Sequence, residues 1–299
     1  MTMTSIEPTH REPRASVIIP AYNEGRVIGR SLAALLNDSV PGEFDIVVVC
    51  NGCSDDTAAA ARGAAGPGVR VFSIDEGSKT AALNHGDRLA ITYPRVYLDA
   101  DLEVSGKSVR ALIDALRDGR RIAAIGFMDV DTRDRPRRVR LFYRLWMLHP
   151  YLRRGKFGGI YALSREGCAR RGPYPAVVAD DTFVRDCFEP DECASVPDCR
   201  FRVFPPRTIG DIVRIRSRAY LGNRQLHGRD APMLLGQRDG HGSWLQDVAR
   251  RPDTWPGLPV YLYVNLTAKV RAARLYRRSD YTWLRDESSR EPDQEVSAA

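Results

Sequence analysis

Five short segments rich in Val and Ile dominate the first half of the chain, and the residues between them show helical spacing. The segments are SVIIP (16–20), FDIVVVC (44–50), VRVFSI (69–74), RVYLD (95–99) and IAAIGFM (122–128). Segments of this length and composition are typical of strands that are buried on both faces of a sheet. Apolar residues recur at helical spacing within 28–36, and again within 108–116. This alternation predicts an α/β fold with a mostly parallel sheet flanked by helices.

The chain divides into two ordered halves between polar ends. With 299 residues, of which 43% are hydrophobic, it can bury a substantial core. Residues 15–130 hold the five predicted strands, and residues 131–285 are less regular. The second half is predicted to contain a basic, aromatic-rich helix within 133–156, a sixth strand at 158–164, a helix starting near 177–181 and a basic helix over 260–285. The ends, 1–14 and 286–299, are predicted to be disordered.

The sequence predicts a cytoplasmic protein with reduced cysteines. Residues 1–14 lack an apolar signal region, and no segment offers the roughly 20 apolar residues of a membrane span. The six cysteines include an isolated Cys50-x-x-Cys53 pair, which indicates two small buried side chains rather than a zinc or redox site. We expect the protein to stay in the cytoplasm, with peripheral attachment to the inner membrane face as an alternative.

Polar residues follow each of the first four predicted strands. In a parallel sheet, ligands bind at the carboxyl ends of the strands, so the segments 21–24, 51–57, 75–79 and 99–101 should open at one edge. In the last of them, Asp99 and Asp101 flank Ala100. Paired carboxylates at a strand end can hold a divalent cation against phosphate oxygens. A solvated turn would show the same pattern.

Four motifs, in order along the chain, resemble those of family-2 glycosyltransferases with the GT-A fold. SVIIPAYNE (16–24) resembles the opening strand and nucleotide-binding turn, and NGCSDDT (51–57) resembles Asp-Gly-Ser-x-Asp-x-Thr. GSKTAALNHG (77–86) resembles Gly-Lys-x-x-Ala-Leu-Asn-x-Gly, and Asp99-x-Asp101 resembles the metal motif. Two positions depart from the family, with Asn51 in place of an acid and Cys53 in place of Ser. The resemblance covers most of residues 15–225.

The resemblance implies a single Rossmann-like sheet with a C-terminal acceptor-side helical region. It also implies transfer of one sugar from a nucleotide-diphosphate sugar, with a UDP-sugar as first choice, to a hydroxyl acceptor that the sequence does not identify. Residues 15–130 would bind the donor and residues 131–285 the acceptor. Inversion is expected, although relatives with the same fold retain configuration. The implied donor-binding residues are Pro20, Ala21, Tyr22, Glu24, Asn51, Asp55, Lys79, Asp99, Ala100 and Asp101.

The resemblance also assigns roles to single residues. Lys79 would lie near the diphosphate and Asp99 near the ribose or sugar. Asp101 would hold Mg²⁺ or Mn²⁺, and His227, which is followed by a glycine, is a candidate further ligand. These roles make the metal ion the group that stabilises the departing nucleotide.

The resemblance also gives functional roles to two pairs of residues in the second half, one acidic and one basic. Asp180 and Asp181 resemble an acidic dyad at the start of an acceptor-side helix. On that resemblance Asp181 is the catalytic base, and Asp180 supports it or contacts the acceptor; an acidic helix start without catalytic function is the alternative. Arg216 and Arg218 lie where the family has a Gln-x-x-Arg-Trp motif, although its Gln and Trp are absent. They could clamp the donor phosphates, or form a solvated basic helix face.

Residues 133–156 carry nine basic residues and one acid, Asp134, for a net charge of +8. The whole chain has a net charge of +7, so the rest of it is close to neutral. Such a segment could contact an anionic membrane or an acidic acceptor, or it could be solvated. Nucleic acid is not expected, because no recognised nucleic-acid module accompanies the charge. The alternatives to a glycosyltransferase are a sugar nucleotidyltransferase and a non-catalytic scaffold that binds nucleotide sugars.

Overall fold

The computed structural model describes residues 12–66, 68–228 and 241–278. The strands are β1 (Ala15–Ala21), β2 (Phe44–Asn51), β3 (Val69–Ile74), β4 (Arg95–Leu98), β5 (Glu103–Val104), β6 (Ala123–Val130), β7 (Ile160–Leu163) and β8 (Cys193–Val203). The helices are α1 (Ile28–Leu36), α2 (Thr57–Ala64), α3 (Lys79–Leu89), α4 (Gly106–Asp114), α5 (Arg137–Trp146), α6 (Arg165–Arg171), α7 (Asp180–Asp186), α8 (Ile209–His227), α9 (His241–Ala249) and α10 (Leu258–Arg277). The ends that are predicted to be disordered lie outside the described residues, except for 12–14.

Within the described residues, eight strands form one sheet in the order β3-β2-β1-β4-β7-β6-β8-β5. Strands β1 to β4 pair in parallel, and β6 pairs in parallel with β8. Strand β7 runs antiparallel to both of its neighbours, and β5 runs antiparallel to β8. The six predicted strands and the α/β class are confirmed. Two strands were not predicted: β5, which is very short, and β8, which is rich in polar residues and has an irregular register against β6.

Helices cover both faces of the sheet, as the strand composition predicts. In β1, Val17 and Ile19 pack with Leu32 of α1 in one buried cluster, whereas Ile18 packs with Leu83 of α3 in another. Adjacent residues of a strand point to opposite faces, so a run without polar residues requires a layer on each side. The two layers hold the carboxyl ends of β1, β2 and β4 at one common edge.

The second half forms its own packed layer. Helices α5, α8 and α10 enclose a buried cluster that includes Phe142, Tyr220, Tyr261 and Val264. Helix α5 begins directly after Pro136, whose fixed φ suits a helix start, and it is shorter than the predicted segment 133–156. Within the described residues, no helix combines the length and the apolar character that a membrane crossing requires.

Candidate active site

The turns after β1 and β2 are joined by side-chain hydrogen bonds. Asn23 lies in the left-handed region with φ 52°, which Asn tolerates better than most residues. Its Oδ1 accepts a hydrogen bond of 2.7 Å from the backbone N–H of Ser54, and its own N–H donates to Sγ of Cys53 at 3.3 Å. The strand ends are therefore fixed to each other before any ligand binds.

Asp55 organises the same pair of turns. Its carboxylate accepts hydrogen bonds from the N–H of Gly25 at 3.1 Å and from the N–H of Thr57 at 3.0 Å. The hydroxyl of Thr57 in turn accepts from the N–H of Glu24 at 2.7 Å. The structure thus shows Asp55 holding backbone groups of both turns, and its predicted contact with the donor stays a prediction.

Asn51 ends β2 and joins three segments. With its amide oriented to satisfy its neighbours, the nitrogen donates to the Ala21 carbonyl at 2.8 Å and the oxygen accepts from the N–H of Ser78 at 3.3 Å. Gly52 follows with φ 59°, and a Cβ at this position would lie 2.7 Å from the Cα of Gly77. The third turn therefore packs directly against the second, which brings the start of α3 to the edge of the sheet.

Lys79, the first residue of α3, connects the two halves of the protein. Its Nζ lies 2.8 Å from Oδ1 of Asp99 and 2.9 Å from Oδ2 of Asp180. Burial alone would lower the pKa of Lys79, but the charges of Asp180 and Asp99 raise it above its ordinary value. The lysine is consequently a fixed cation between an acid that follows β4 and an acid that begins α7.

Asp180 is nearly inaccessible, with 7% of its surface exposed. Burial raises its pKa, Lys79 lowers it, and the neighbouring charges of Asp181 and Asp99 raise it further. Asp181 is less buried, and its Oδ1 accepts from the N–H of Thr182 at 2.8 Å. A carboxylate that lies beside other carboxylates in a shielded site attracts cations, and Lys79 supplies one at Asp180.

Gly158 allows a close approach to Asp181. Its φ is 119°, and a Cβ here would lie 3.0 Å from Oδ2 of Asp181 and 3.3 Å from Nζ of Lys156. Lys156 and Asp181 therefore border the same space. From the sequence, Lys156 is only one member of the basic segment 133–156. The glycine pair at 158–159, just before β7, is the signal that the backbone there approaches other groups closely.

The two predicted arginines of α8 have different surroundings. Burial lowers the pKa of Arg218, and four carboxylates act against that shift, namely Asp180, Asp101, Asp99 and Asp181. Arg216 instead donates from Nη2 to the hydroxyl of Tyr220 at 3.0 Å and to Oδ1 of Asn265 on α10 at 3.1 Å. Arg218 thus faces the acidic group, whereas Arg216 connects α8 to α10.

A cavity of about 1010 Å³ unites these residues, which is the size of a large ligand pocket. It is lined by most of the predicted site residues, which are Pro20, Tyr22, Glu24, Asn51, Lys79, Asp99, Ala100, Asp101, Asp180, Asp181, Arg216, Arg218 and His227. Aromatic and aliphatic side chains form another part of its wall, including Met128, Phe142, Tyr143, Trp146, Tyr151, Phe157, Phe201, Phe204 and Ile215. Ala21 takes part through its carbonyl, which accepts from Asn51.

Asp101 offers carboxylate oxygens, which suit a hard divalent cation whose other coordination positions are filled by a bound ligand. Mg²⁺ and Mn²⁺ accept carboxylate oxygens, and at phosphate sites they are held by one or two carboxylates together with substrate phosphates. Over the described ranges, no three His, Cys, Asp or Glu side chains are grouped to hold a metal without such a ligand. His227 lines the cavity, but its Nε2 lies 3.0 Å from Oδ2 of Asp186.

The mixed sheet with its cavity at the carboxyl edge defines a GT-A fold, and solved structures agree. A mannosyltransferase, PcManGT from Pyrobaculum calidifontis, in complex with GDP-Man and Mn²⁺, aligns over 90% of this chain and 88% of its own, with a TM-score of 0.60 and 19% identity. Glucosyl-3-phosphoglycerate synthase from Mycobacterium tuberculosis, in complex with Mn²⁺, UDP and glucosyl-3-phosphoglycerate, aligns over 69% of this chain and 77% of its own, with a TM-score of 0.51 and 22% identity. At these identities the likeness establishes the fold.

The family follows from the sequence match. The model of glycosyl transferase family 2 matches residues 16–172, more than half of the chain, and the protein belongs to that family. It is a glycosyltransferase. No curated protein sequence matches the chain. The match includes the four motifs of the first half and ends before Asp180, so the roles assigned to Asp180 and Asp181 stay predictions.

Proposed function

We propose that this glycosyltransferase transfers one sugar from a nucleotide-diphosphate sugar, with a UDP-sugar as first choice, to a hydroxyl acceptor and with inversion. The observation that carries the proposal is the contact of Lys79 with both Asp99 and Asp180, which joins the donor-side turns to the acidic start of α7. The two structural neighbours described above are complexes with Mn²⁺ and a nucleotide or nucleotide sugar. These complexes favour the same class of donor here.

The donor would lie along the edge of the sheet. Tyr22, Glu24 and Asn51 line the end of the cavity beside the first two turns, which suits the base. Lys79 and Arg218 supply cationic groups for the diphosphate. Asp101 would hold Mg²⁺ or Mn²⁺ jointly with phosphate oxygens, and when bound this ion would stabilise the negative charge of the departing nucleotide.

Proton removal is assigned to Asp181. The acceptor oxygen forms a bond to the anomeric carbon as the bond from that carbon to the diphosphate oxygen breaks, and the diphosphate leaves with the electron pair. The hydroxyl proton passes to the Asp181 carboxylate. Asp180, held by Lys79, fixes the start of α7 and with it the position of the base.

The acceptor side of the cavity favours a molecule with an apolar portion. The half-buried Tyr143, Trp146 and Tyr151 line it, with Lys156 at the border of the acidic group. Removing apolar surface from water is favourable, so an acceptor that covers these side chains gains affinity. The predicted contact of 133–156 with a membrane or an acidic acceptor, and the cytoplasmic location, stay predictions.

The experiment is a panel of UDP- and GDP-sugars with Mn²⁺ or Mg²⁺, scored by thermal shift and by release of the nucleoside diphosphate. Asp181→Asn should keep the thermal shift and lower turnover by about 10²-fold or more, as expected for loss of a general base. Asp118→Asn, an exposed acid that does not line the cavity, is the control and should keep activity. Unchanged turnover in Asp181→Asn would remove the base assignment, and absence of any donor-induced shift would contradict the donor class.

A further inference from the structure

Exposed apolar side chains are concentrated near the C-terminal end of the described chain. Eight large apolar side chains are exposed in the part that the structure describes, and six of them lie within 241–278, namely Leu245, Trp255, Leu262, Tyr263, Leu266 and Val270. The other two, Val40 and Ile91, are single residues in separate loops. Single exposed apolar residues are ordinary, whereas a concentration of them marks a contact surface.

Four of the six form a stripe along α10. Leu262, Leu266 and Val270 follow each other at intervals of four residues and Tyr263 lies beside them, so all four share one helix face. They are 62%, 67%, 43% and 60% exposed, respectively. We call this stripe the α10 outer face. The opposite face packs inward through Tyr261, Val264 and Ala268, so the helix is apolar on both sides.

The charge of α10 is entirely positive. The helix contains no acid and four basic residues, Lys269, Arg271, Arg274 and Arg277. In helical projection Arg274 and Arg277 continue the line of the α10 outer face beyond Val270. A partner for this region must therefore accept apolar side chains and balance several positive charges.

An anionic bilayer surface has both properties. Helices that lie in a membrane interface present Leu and aromatic side chains to the acyl region and Lys or Arg to the headgroups. A second copy of this chain fits less well, because α10 carries no acid and an identical helix supplies no negative charge to balance its basic residues. Helix α5 cannot supply the apolar part, because its Phe142 and Leu145 are fully buried.

We propose that the α10 outer face docks on anionic lipid, with α10 lying in the plane of the interface. Leu262, Leu266 and Val270 enter the boundary between headgroups and acyl chains, and Arg274 and Arg277 contact the lipid phosphates. Attachment in this way involves no membrane-spanning segment, and it does not depend on which donor or acceptor the enzyme uses.

The test is co-sedimentation of the full-length protein with vesicles of phosphatidylcholine alone or mixed with phosphatidylglycerol. Binding should require the anionic lipid and weaken as salt is added. The triple variant Leu262→Gln, Leu266→Gln and Val270→Gln should reduce the partition coefficient at least about tenfold, since it removes three buried apolar contacts. The matched control is Val40→Gln with Ile91→Gln, which changes exposed apolar residues elsewhere and should bind like the wild type.

Two further measurements keep the result interpretable. Both variants should keep the wild-type melting temperature and the wild-type donor-induced thermal shift, because the altered side chains are exposed. Equal binding of the wild type to neutral and anionic vesicles, no binding to either, or undiminished binding of the triple variant overturns the proposal. So does a wild-type dimer, measured by light scattering, that the triple variant converts to monomer, since the face would then be an interface between copies.

Discussion

The two halves of the protein build their shares of the cavity in different ways. In residues 15–130 the site residues lie directly after strands, and short hydrogen bonds such as Asn23 to Ser54 hold adjacent turns together. In residues 131–278 they come from separate helices, where Asp180 contacts Lys79 of the first half and Arg216 is held by Asn265 of α10. The first half is therefore held by contacts between neighbouring turns and the second by contacts between helices. Lys79 joins the two halves through Asp99 and Asp180.

Lys79→Met should have the largest effect, because it leaves Asp180 buried without its cation. Removing one partner of a buried ion pair typically costs about 3–5 kcal/mol. The pKa of Asp180 is already raised in the folded state, first by burial. A carboxyl with a raised folded-state pKa contributes stability at low pH that is lost as the pH rises through that pKa. Without Lys79 this pKa rises further, so the deficit of the variant should grow from acid toward neutral pH.

Urea denaturation of the wild type, Lys79→Met and Lys79→Arg over a range of pH measures this effect. Lys79→Arg keeps the positive charge and should recover most of the free energy of unfolding. A deficit in Lys79→Met that does not change with pH would show that Asp180 is not the group left uncompensated, and the comparison between the halves would lose its central contact.

Asp101→Ala should come second, with turnover reduced by about 10³-fold, because metal stabilisation of a leaving group is worth several kcal/mol. His227→Gln is the matched comparison, since His227 is paired with Asp186 and a half-exposed pair contributes little. Mn²⁺ titrations of activity, with and without chelator, should show a large defect in the first variant and a small one in the second. A tenfold or larger rise in the Mn²⁺ requirement of His227→Gln would instead make His227 a ligand.

Gly52→Ala should have the smallest of the three effects and tests the donor half alone. The left-handed φ and the approach to Gly77 give an expected loss of about 1–3 kcal/mol. Gly63→Ala is the control, because a Cβ there meets nothing within 4 Å inside α2, and it should gain about 0.5–1 kcal/mol. Thermal melts of both variants measure the difference. A neutral Gly52→Ala would show that the second and third turns are not in tight contact.

The donor half could be predicted in detail because its information is local. The runs of Val and Ile at β1 and β2 define buried strands, and the polar segments after them must meet at one edge in a parallel sheet. The second half was predicted less completely. Strand β8 alternates polar and apolar residues around Pro197 and Asp198, and α8 has a weak apolar pattern, so neither stands out in the sequence.

Some side chains had surroundings that no local pattern could indicate. Asp55 bonds to the N–H groups of two turns that are thirty residues apart in sequence. Arg216 and Arg218 are two residues apart on α8, yet one contacts α10 and the other faces the acidic group. Residues two apart on a helix point in different directions, so their neighbours depend on how the helix packs.

The sequence by itself determined the class of fold, the edge at which the predicted site residues meet and the motifs of the first half, because strand burial and turn chemistry follow from neighbouring residues. The tertiary structure decided that Lys79 joins Asp99 to Asp180, that Asp55 braces two turns and that α10 is apolar on both of its faces. Each of these depends on which segments pack together, and packing between distant segments is set by the free energy of the whole core rather than by any one stretch of chain.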